Sequence, residues 1–278
     1  MAKPRPKVLC STGALGYRPD LMDSPWLAQV APMLPCDGFE LMIYSQWLAK
    51  DAMAGSLRQD QGLCFPVAHL AKGLGEHYSA GNTDAIGAGH AILRDNCHLA
   101  RGMGARQGVL HLWSLPHSDD HFDGTLRALG QAMGIAAEYE LELLVETLPC
   151  RNQPLMRRLK QIAQAFPACR FTADTRLLCC AGALRELMDC HWVWEQERIA
   201  HVHVSDCAVD SSGDPISYPI LLPGQGIVDL HGFFQCLRRK GYCGTVTLES
   251  PAPRLPGGEA DIAALAAPLR LIGDWLSG

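Results

Sequence analysis

Residues 201–206 read HVHVSD, and strict alternation makes them a β-strand with two unlike faces. Val202 and Val204 share one side, and His201 and His203 share the other, because successive side chains of a strand point to opposite faces. Three other short runs have the same character: LELLVET at 141–147, FTADT at 171–175 and VTLES at 246–250. In each, the apolar set (Leu143 and Val145; Phe171 and Ala173; Val246 and Leu248) opposes a polar set that ends in Glu146, Asp174 or Glu249. A strand covered by helices on its apolar face and turning carboxylates and imidazoles to the other is suited to a closed barrel with a polar mouth.

The rest of the chain supports that architecture. Strands are expected at Lys7–Leu15, Phe39–Ser45, Phe65–Leu70, Gly108–Ser114, Leu141–Thr147, Arg170–Asp174, Ala200–Ser205 and Gly244–Glu249. Helical patterns fall at Gly124–Gly134, Gln153–Ala165, Ala181–Cys190, Leu230–Lys240 and Ile262–Leu276, with Asp229 as an N-cap and Gly241 as a C′ residue. Eight strands alternating with helices in 278 residues indicate an α/β fold, a single (β/α)8 TIM barrel over residues 1–278. The rival, a doubly wound open sheet, lacks its glycine fingerprint: Ser11–Gly16 has the wrong spacing after the first strand. The stretch Asp206–Val228, with SSGDP and LPGQG, reads as a long irregular loop on the catalytic face, fit to act as a lid.

Composition narrows the function. A net charge of −5 and a pI near 6.1 give no field that attracts nucleic acid, and Arg157, Arg158 and Lys160 read as a solvated helix face. There is neither a secretory apolar core nor a membrane-length apolar run, so a soluble cytoplasmic protein with a small-molecule substrate is expected, with a homo-oligomer left open. The 12 cysteines are scattered without a CxxC pair, which argues for reduced thiols and against a cysteine metal site.

Glu146, Asp174 and His203 are 28 and 29 residues apart, about one strand–helix unit each, so the fold brings them and Glu249 to adjacent strand ends. Three carboxylates and one imidazole make an oxygen-rich set suited to one divalent ion (Mn²⁺, Mg²⁺, Co²⁺ or Zn²⁺). The cation would relieve the repulsion among the carboxylates. His69 and His111 also stand at strand ends, where hydrogen-bonded core histidines are one reading and a ligand-binding role is the other. His201 reads as structural or as a support for the ligand beside it, Asp206 as a support or loop cap, and Glu142 as part of an interior ion pair or of the barrel floor. A polar layer without metal is the alternative for the four-residue set, and it would leave buried charges without partners.

The segments GMGARQGVLHLW (102–113), LLVET, ADT, HVHVSD, LPGQGIVD (222–229) and TLES together resemble the xylose isomerase-like TIM barrels, which include sugar isomerases and epimerases and endonuclease IV. The resemblance implies Glu146, Asp174, His203 and Glu249 as metal ligands and Glu146 and Glu249 as the acid–base pair of an epimerisation, with His69 and His111 as substrate contacts or as ligands to a second ion. The chain departs from the family at Leu177, where a histidine is usual three residues after the metal-binding aspartate, and at Gln225, where an acidic residue is usual. It also lacks the epimerases' arginine after HVHVSD and endonuclease IV's Asp-x-His before the glycine turn. The leading expectation is a metal-dependent isomerase or epimerase of a small sugar or polyol-type carbonyl compound. The alternatives are a two-ion phosphodiester hydrolase using His69 and His111, and a barrel that binds metal or ligand without turnover.

Overall fold

The computed structural model describes residues 4–16, 25–45 and 62–278. Eight parallel strands close on themselves: β1 (Lys7–Ser11), β2 (Gly38–Met42), β3 (Val67–His69), β4 (Gln107–Leu110), β5 (Glu142–Glu146), β6 (Arg170–Asp174), β7 (Ile199–Val204) and, after an inserted hairpin, β10 (Thr245–Leu248). The ring closes where β10 pairs with both β7 and β1. The strands are shorter than the apolar runs suggest. β1 stops at Ser11 because the chain turns there, with Ala14 N–H bonded to Ser11 O and Thr12 Oγ1 accepting from Met42 N.

The side-chain parity read from the sequence holds. Phe171, Ala173, Val202, Val204, Val246 and Leu248 are buried in the large apolar layer between strands and helices. The inward positions are not polar throughout. Leu9, Val67 and Val109 form a separate small apolar cluster, each two residues before Ser11, His69 or His111. It lies one pleat toward the strands' N-terminal ends, so the polar mouth rests on a dry plug. Further toward that end, Glu142 pairs with Arg170 and accepts from Gln107, the ion pair expected on the floor.

Helices α1 (Trp26–Val30), α2 (Leu74–Ser79), α3 (Thr83–Gly102), α4 (Phe122–Glu138), α5 (Leu155–Ala165), α6 (Thr175–Cys180), α7 (Leu184–Asp189), α8 (His191–Glu195), α9 (Leu230–Arg239) and α10 (Ala266–Ser277) lie between and after the strands. The helix expected at Ala181–Cys190 is shorter, spanning Leu184–Asp189, because Ala181–Ala183 form the turn after α6. Gly182 adopts φ +64° and ends the first turnover of the chain after α6, and α7 starts at Leu184. α9 is capped as its sequence indicates, Asp229 accepting from Gly232 N and Gly241 adopting φ +63°. The Arg157–Lys160 patch is not a uniformly solvated face: Arg158 pairs with Asp119 at 2.8 Å and stacks over Phe122. All twelve cysteines are free thiols, and no helix among the described residues is long and apolar enough to cross a membrane.

The stretch Asp206–Val228 is not irregular. It forms an antiparallel hairpin, β8 (Asp206–Val209) with β9 (Pro215–Leu221). Asp210 makes its turn by accepting from Ser212 N and Asp214 N, with Gly213 at φ +89°. The returning chain is gathered by one buried carboxylate: Asp206 accepts from the backbone N–H groups of Cys207, Gly224, Gly226 and Val228 at 2.9–3.0 Å. Gly226 is required there, since a Cβ would stand 2.1 Å from Cys207 O. Asp206 is thus a loop cap. Replacing it by alanine strands four donors, and Asp206→Ala is expected to cost about 2–4 kcal/mol in urea denaturation; a loss within experimental error would show that water replaces the carboxylate.

Candidate metal centre

Each side chain of the centre stands at the C-terminal end of its strand or just beyond. Glu146 ends β5, Asp174 ends β6, His203 is the penultimate residue of β7, and Glu249 follows β10. Register does the rest: Asp174 lies directly beside His203, and His203 beside Thr247. Ligand atoms of Glu146, Asp174, His203 and Glu249 all fall within 4.8 Å of one another. The structure therefore brings together the four residues singled out from the sequence. All are buried or nearly so, Glu249 being the most open.

His203 organises the group. Its Nε2 lies 2.9 Å from Glu40 Oε1, and its Nδ1 lies 2.8 Å from Glu146 Oε1 and 3.7 Å from Glu249 Oε2. Burial alone would lower its pKa, but Glu40, Glu249 and Glu146 outweigh burial and hold it well above the ordinary histidine value. The imidazolium in turn keeps Glu40 ionised. Burial pushes the Glu40 carboxyl up, and His203 and His201 overcome that and hold it well below the usual range. Glu146 is held low in the same way, by His111 and His203 against burial.

Glu40 is the main residue that sequence reading passed over. It lies on β2, fully buried, and bridges His203 and His201, whose Nε2 is 2.9 Å from Glu40 Oε2. The available signal was a carboxylate at inward parity between Phe39 and Leu41, in a strand that must be buried on both faces. His201 supports as expected, fixed on its other side by Thr245 Oγ1 at 2.6 Å. Two cations were also passed over. Arg176, the second residue of α6, is buried; it donates to Ser205 Oγ and Ser217 O and lies 3.7 Å from Asp174 Oδ2. Lys72 Nζ stands 3.9 Å from Glu249 Oε1.

The two strand-end histidines take different places. His111 Nε2 lies 2.5 Å from Glu146 Oε2. His69 donates or accepts at Nδ1 with Leu70 O at 2.8 Å, which leaves its Nε2 facing Glu146 at 3.6 Å and Glu249 at 4.0 Å. His69, Glu146 and His203 form a second group able to hold an ion, and Glu40, His201 and His203 a third; among the described residues no such group includes His111.

A divalent cation fits these residues. Buried His69 Nε2 and Asp174 Oδ2 have no hydrogen-bond partner, although buried polar atoms nearly always have one. Asp174 Oδ1 is already committed, capping α6 through Leu177 N at 2.7 Å, so the free Oδ2 is the atom available to an ion. Burial, with Glu249 and Glu146 nearby, raises the Asp174 carboxyl to about 6 despite Arg176. With Nε2–H donated to Glu40, His203 can present the Nδ1 lone pair to a metal, the carboxylate–histidine–metal arrangement.

Two measurements test this. Glu40→Gln cannot accept from both imidazoles, and Zn²⁺ affinity should fall roughly ten- to a hundredfold; unchanged affinity in a dye-competition titration would remove Glu40 from the centre. Metal binding must also displace a proton from His203, whose pKa is held well above the ordinary value, and below about pH 6 one from Asp174 as well. The proton competes more as pH falls, so Zn²⁺ affinity should drop steadily from pH 8 to pH 5, by about tenfold per pH unit for each proton displaced. A flat profile over that range would contradict the assigned ligands.

In fold, the chain is similar to solved sugar epimerases. D-Allulose 3-epimerase from Methylomonas sp., in complex with D-allulose, aligns with a TM-score of 0.67 at 19% identity over 99% of each chain. The 3-keto-D-glucoside 4-epimerase of E. coli gives 0.66 at 15%, over 97% of this chain and 100% of that one. The IolI protein with a bound zinc atom gives 0.71 at 14%, over 98% of each. No curated protein matches in sequence. Residues 30–271 match the xylose isomerase-like TIM barrel, and with the closed eight-stranded barrel this places the chain in that family.

Proposed function

We propose that the protein is a divalent-metal-dependent isomerase or epimerase of a small sugar or polyol-type carbonyl compound, acting through an enediolate with Glu146 and Glu249 as acid and base. The observation that carries this reading is the convergence of both glutamates on the group completed by Asp174 and His203. A metal ion held by the four would polarise the substrate's carbonyl and make the neighbouring C–H more acidic. The epimerase activities of similarly folded proteins support the same class, although fold by itself does not fix chemistry.

The chain's own residues have distinct work. Glu146 and Glu249 stand three places apart around the ring, with Asp174 and His203 on the strands between. They therefore reach a substrate from different directions, which moving a proton between two faces or two carbons requires. His111 and His203 keep Glu146 ionised and able to accept a proton. Glu249, also held below its usual value by His203 and Lys72 against burial, is the second carrier, and substrate configuration decides which glutamate removes the proton. His69 Nε2 and His111 flank Glu146, where they can bind substrate oxygens.

The second reading, a phosphodiester hydrolase with two ions, draws on the His69–Glu146–His203 group. Metal analysis separates the two: about one ion per chain supports the epimerase, and two support the hydrolase. In deuterated water, the metal-loaded protein should exchange the hydrogen α to the carbonyl of at least one ketose in a panel. Glu146→Gln and Glu249→Gln should each slow that exchange roughly 10²–10⁴-fold. A metal-loaded wild type that exchanges no α-hydrogen across the panel would leave a barrel that binds without turnover.

A further inference from the structure

Beside the carboxylates, the barrel mouth opens into a cavity of about 820 Å³. This is toward the upper end of the roughly 300–1,000 Å³ of pockets that hold drug-sized ligands. The cavity borders the centre at two points. His111, one of its lining residues, touches Glu146. Leu177, another, gives its backbone N–H to Asp174. The walls are otherwise mainly apolar, built by Trp113, Leu148 and Leu177 from the barrel and by Ile216 and Tyr218 from the β9 strand of the hairpin.

Two features show that this surface serves a ligand rather than packing. Leu115 and Tyr218, both on the cavity's lip, are each 72% exposed, the most exposed large apolar side chains among the described residues. Apolar groups left in water around a concavity mark a binding surface. Besides His111, the hydroxyl and charged side chains of the lining are Ser114, Ser118, Arg151 and Ser217, a minority of its residues. Leu177, next to the centre, adds an isobutyl group to this wall. A bare sugar would leave this wall without apolar partners.

Building on the epimerase reading, we infer that the substrate carries an apolar substituent: a polyhydroxy carbonyl head reacts between Glu146 and Glu249, and an alkyl or aryl group extends over Leu177 into the cavity. The ligand class is an alkyl- or aryl-substituted sugar derivative rather than a free sugar. Adjacency to the reacting centre through His111 and Leu177 selects this occupant over a second copy of the chain, which would cover Leu115 and Tyr218 but not reach His111.

The test uses 8-anilinonaphthalene-1-sulfonate fluorescence on the Mn²⁺-loaded protein, displaced by n-alkyl β-glucosides from methyl to hexyl. Saturable single-site binding is expected, with displacement tightening roughly fourfold per methylene. Leu177→Glu should weaken displacement by the hexyl compound at least tenfold and leave the methyl compound nearly unchanged. Tyr218→Ser, on an exposed side chain that folding does not need, should weaken it in the same direction. Equal displacement by methyl and hexyl glucosides would overturn the inference, as would a chain-length slope that both variants leave intact, or dye binding that appears only on dissociation of a dimer. Because binding is read without turnover, failure of α-hydrogen exchange with the slope intact would sink the epimerase reading and leave the cavity's apolar preference standing. Exchange without the slope would do the reverse.

Discussion

The contact between His203 and Glu40 crosses the inside of the barrel, and the rest of the centre depends on it. The two residues are 163 positions apart in sequence, and their strands, β2 and β7, are separated in the ring by β1 and β10. The contact forms only when the sheet closes. Once formed, it fixes one nitrogen of the imidazole and aims the other at Glu146, Glu249 and Asp174. Barrel closure and assembly of the centre are therefore one event.

The same contact addresses a problem of charge. Glu40, Glu146, Asp174 and Glu249 are brought close together in a dry interior, where unpaired carboxylates are costly. His203 neutralises part of that charge, with Arg176 beside Asp174 and Lys72 beside Glu249. The balance is incomplete, and its residue appears at Asp174, the one carboxyl pushed up rather than down. A divalent cation would supply what the protein's own cations do not, and the donor atoms left without partners are the ones that would receive it. Protons and metal thus compete for the same few atoms.

Much of this was legible in the sequence because strand parity is a local rule. Knowing that Val202 and Val204 face the helices commits His203 inward, and four such strands give both the barrel and the four converging residues. Glu40 obeys the same rule and was readable, but it sits before its strand's end and no matching polar neighbour in that strand drew attention to it. Arg176 and Lys72 lie outside the strands, where side-chain direction depends on how the chain leaves the barrel, and no periodicity encodes that. The hairpin at Asp206–Leu221 was hidden for a related reason. Its short strands are separated by a serine- and glycine-bearing turn and β9 carries two prolines, and its closure depends on Asp206 collecting amides from residues up to 22 positions away. A turn-rich segment looks irregular until its acceptor is identified.

Asp174 also explains how the family's chemistry can vary without loss of the centre. One of its oxygens caps α6 by accepting from Leu177 N, which fixes the direction of the other. The bond is to the backbone, so it survives any side chain at position 177 that can start a helix. The side chain there faces the cavity instead. The residue that anchors the ligand geometry through its amide therefore controls, through its side chain, what can lie beside the reacting carbons. An isobutyl group there adds apolar wall, while Asp174 keeps its orientation through the Leu177 amide. The direction of the Asp174 carboxylate and the character of the adjacent wall are in this way set by different atoms of one residue, and the second can change while the first is held.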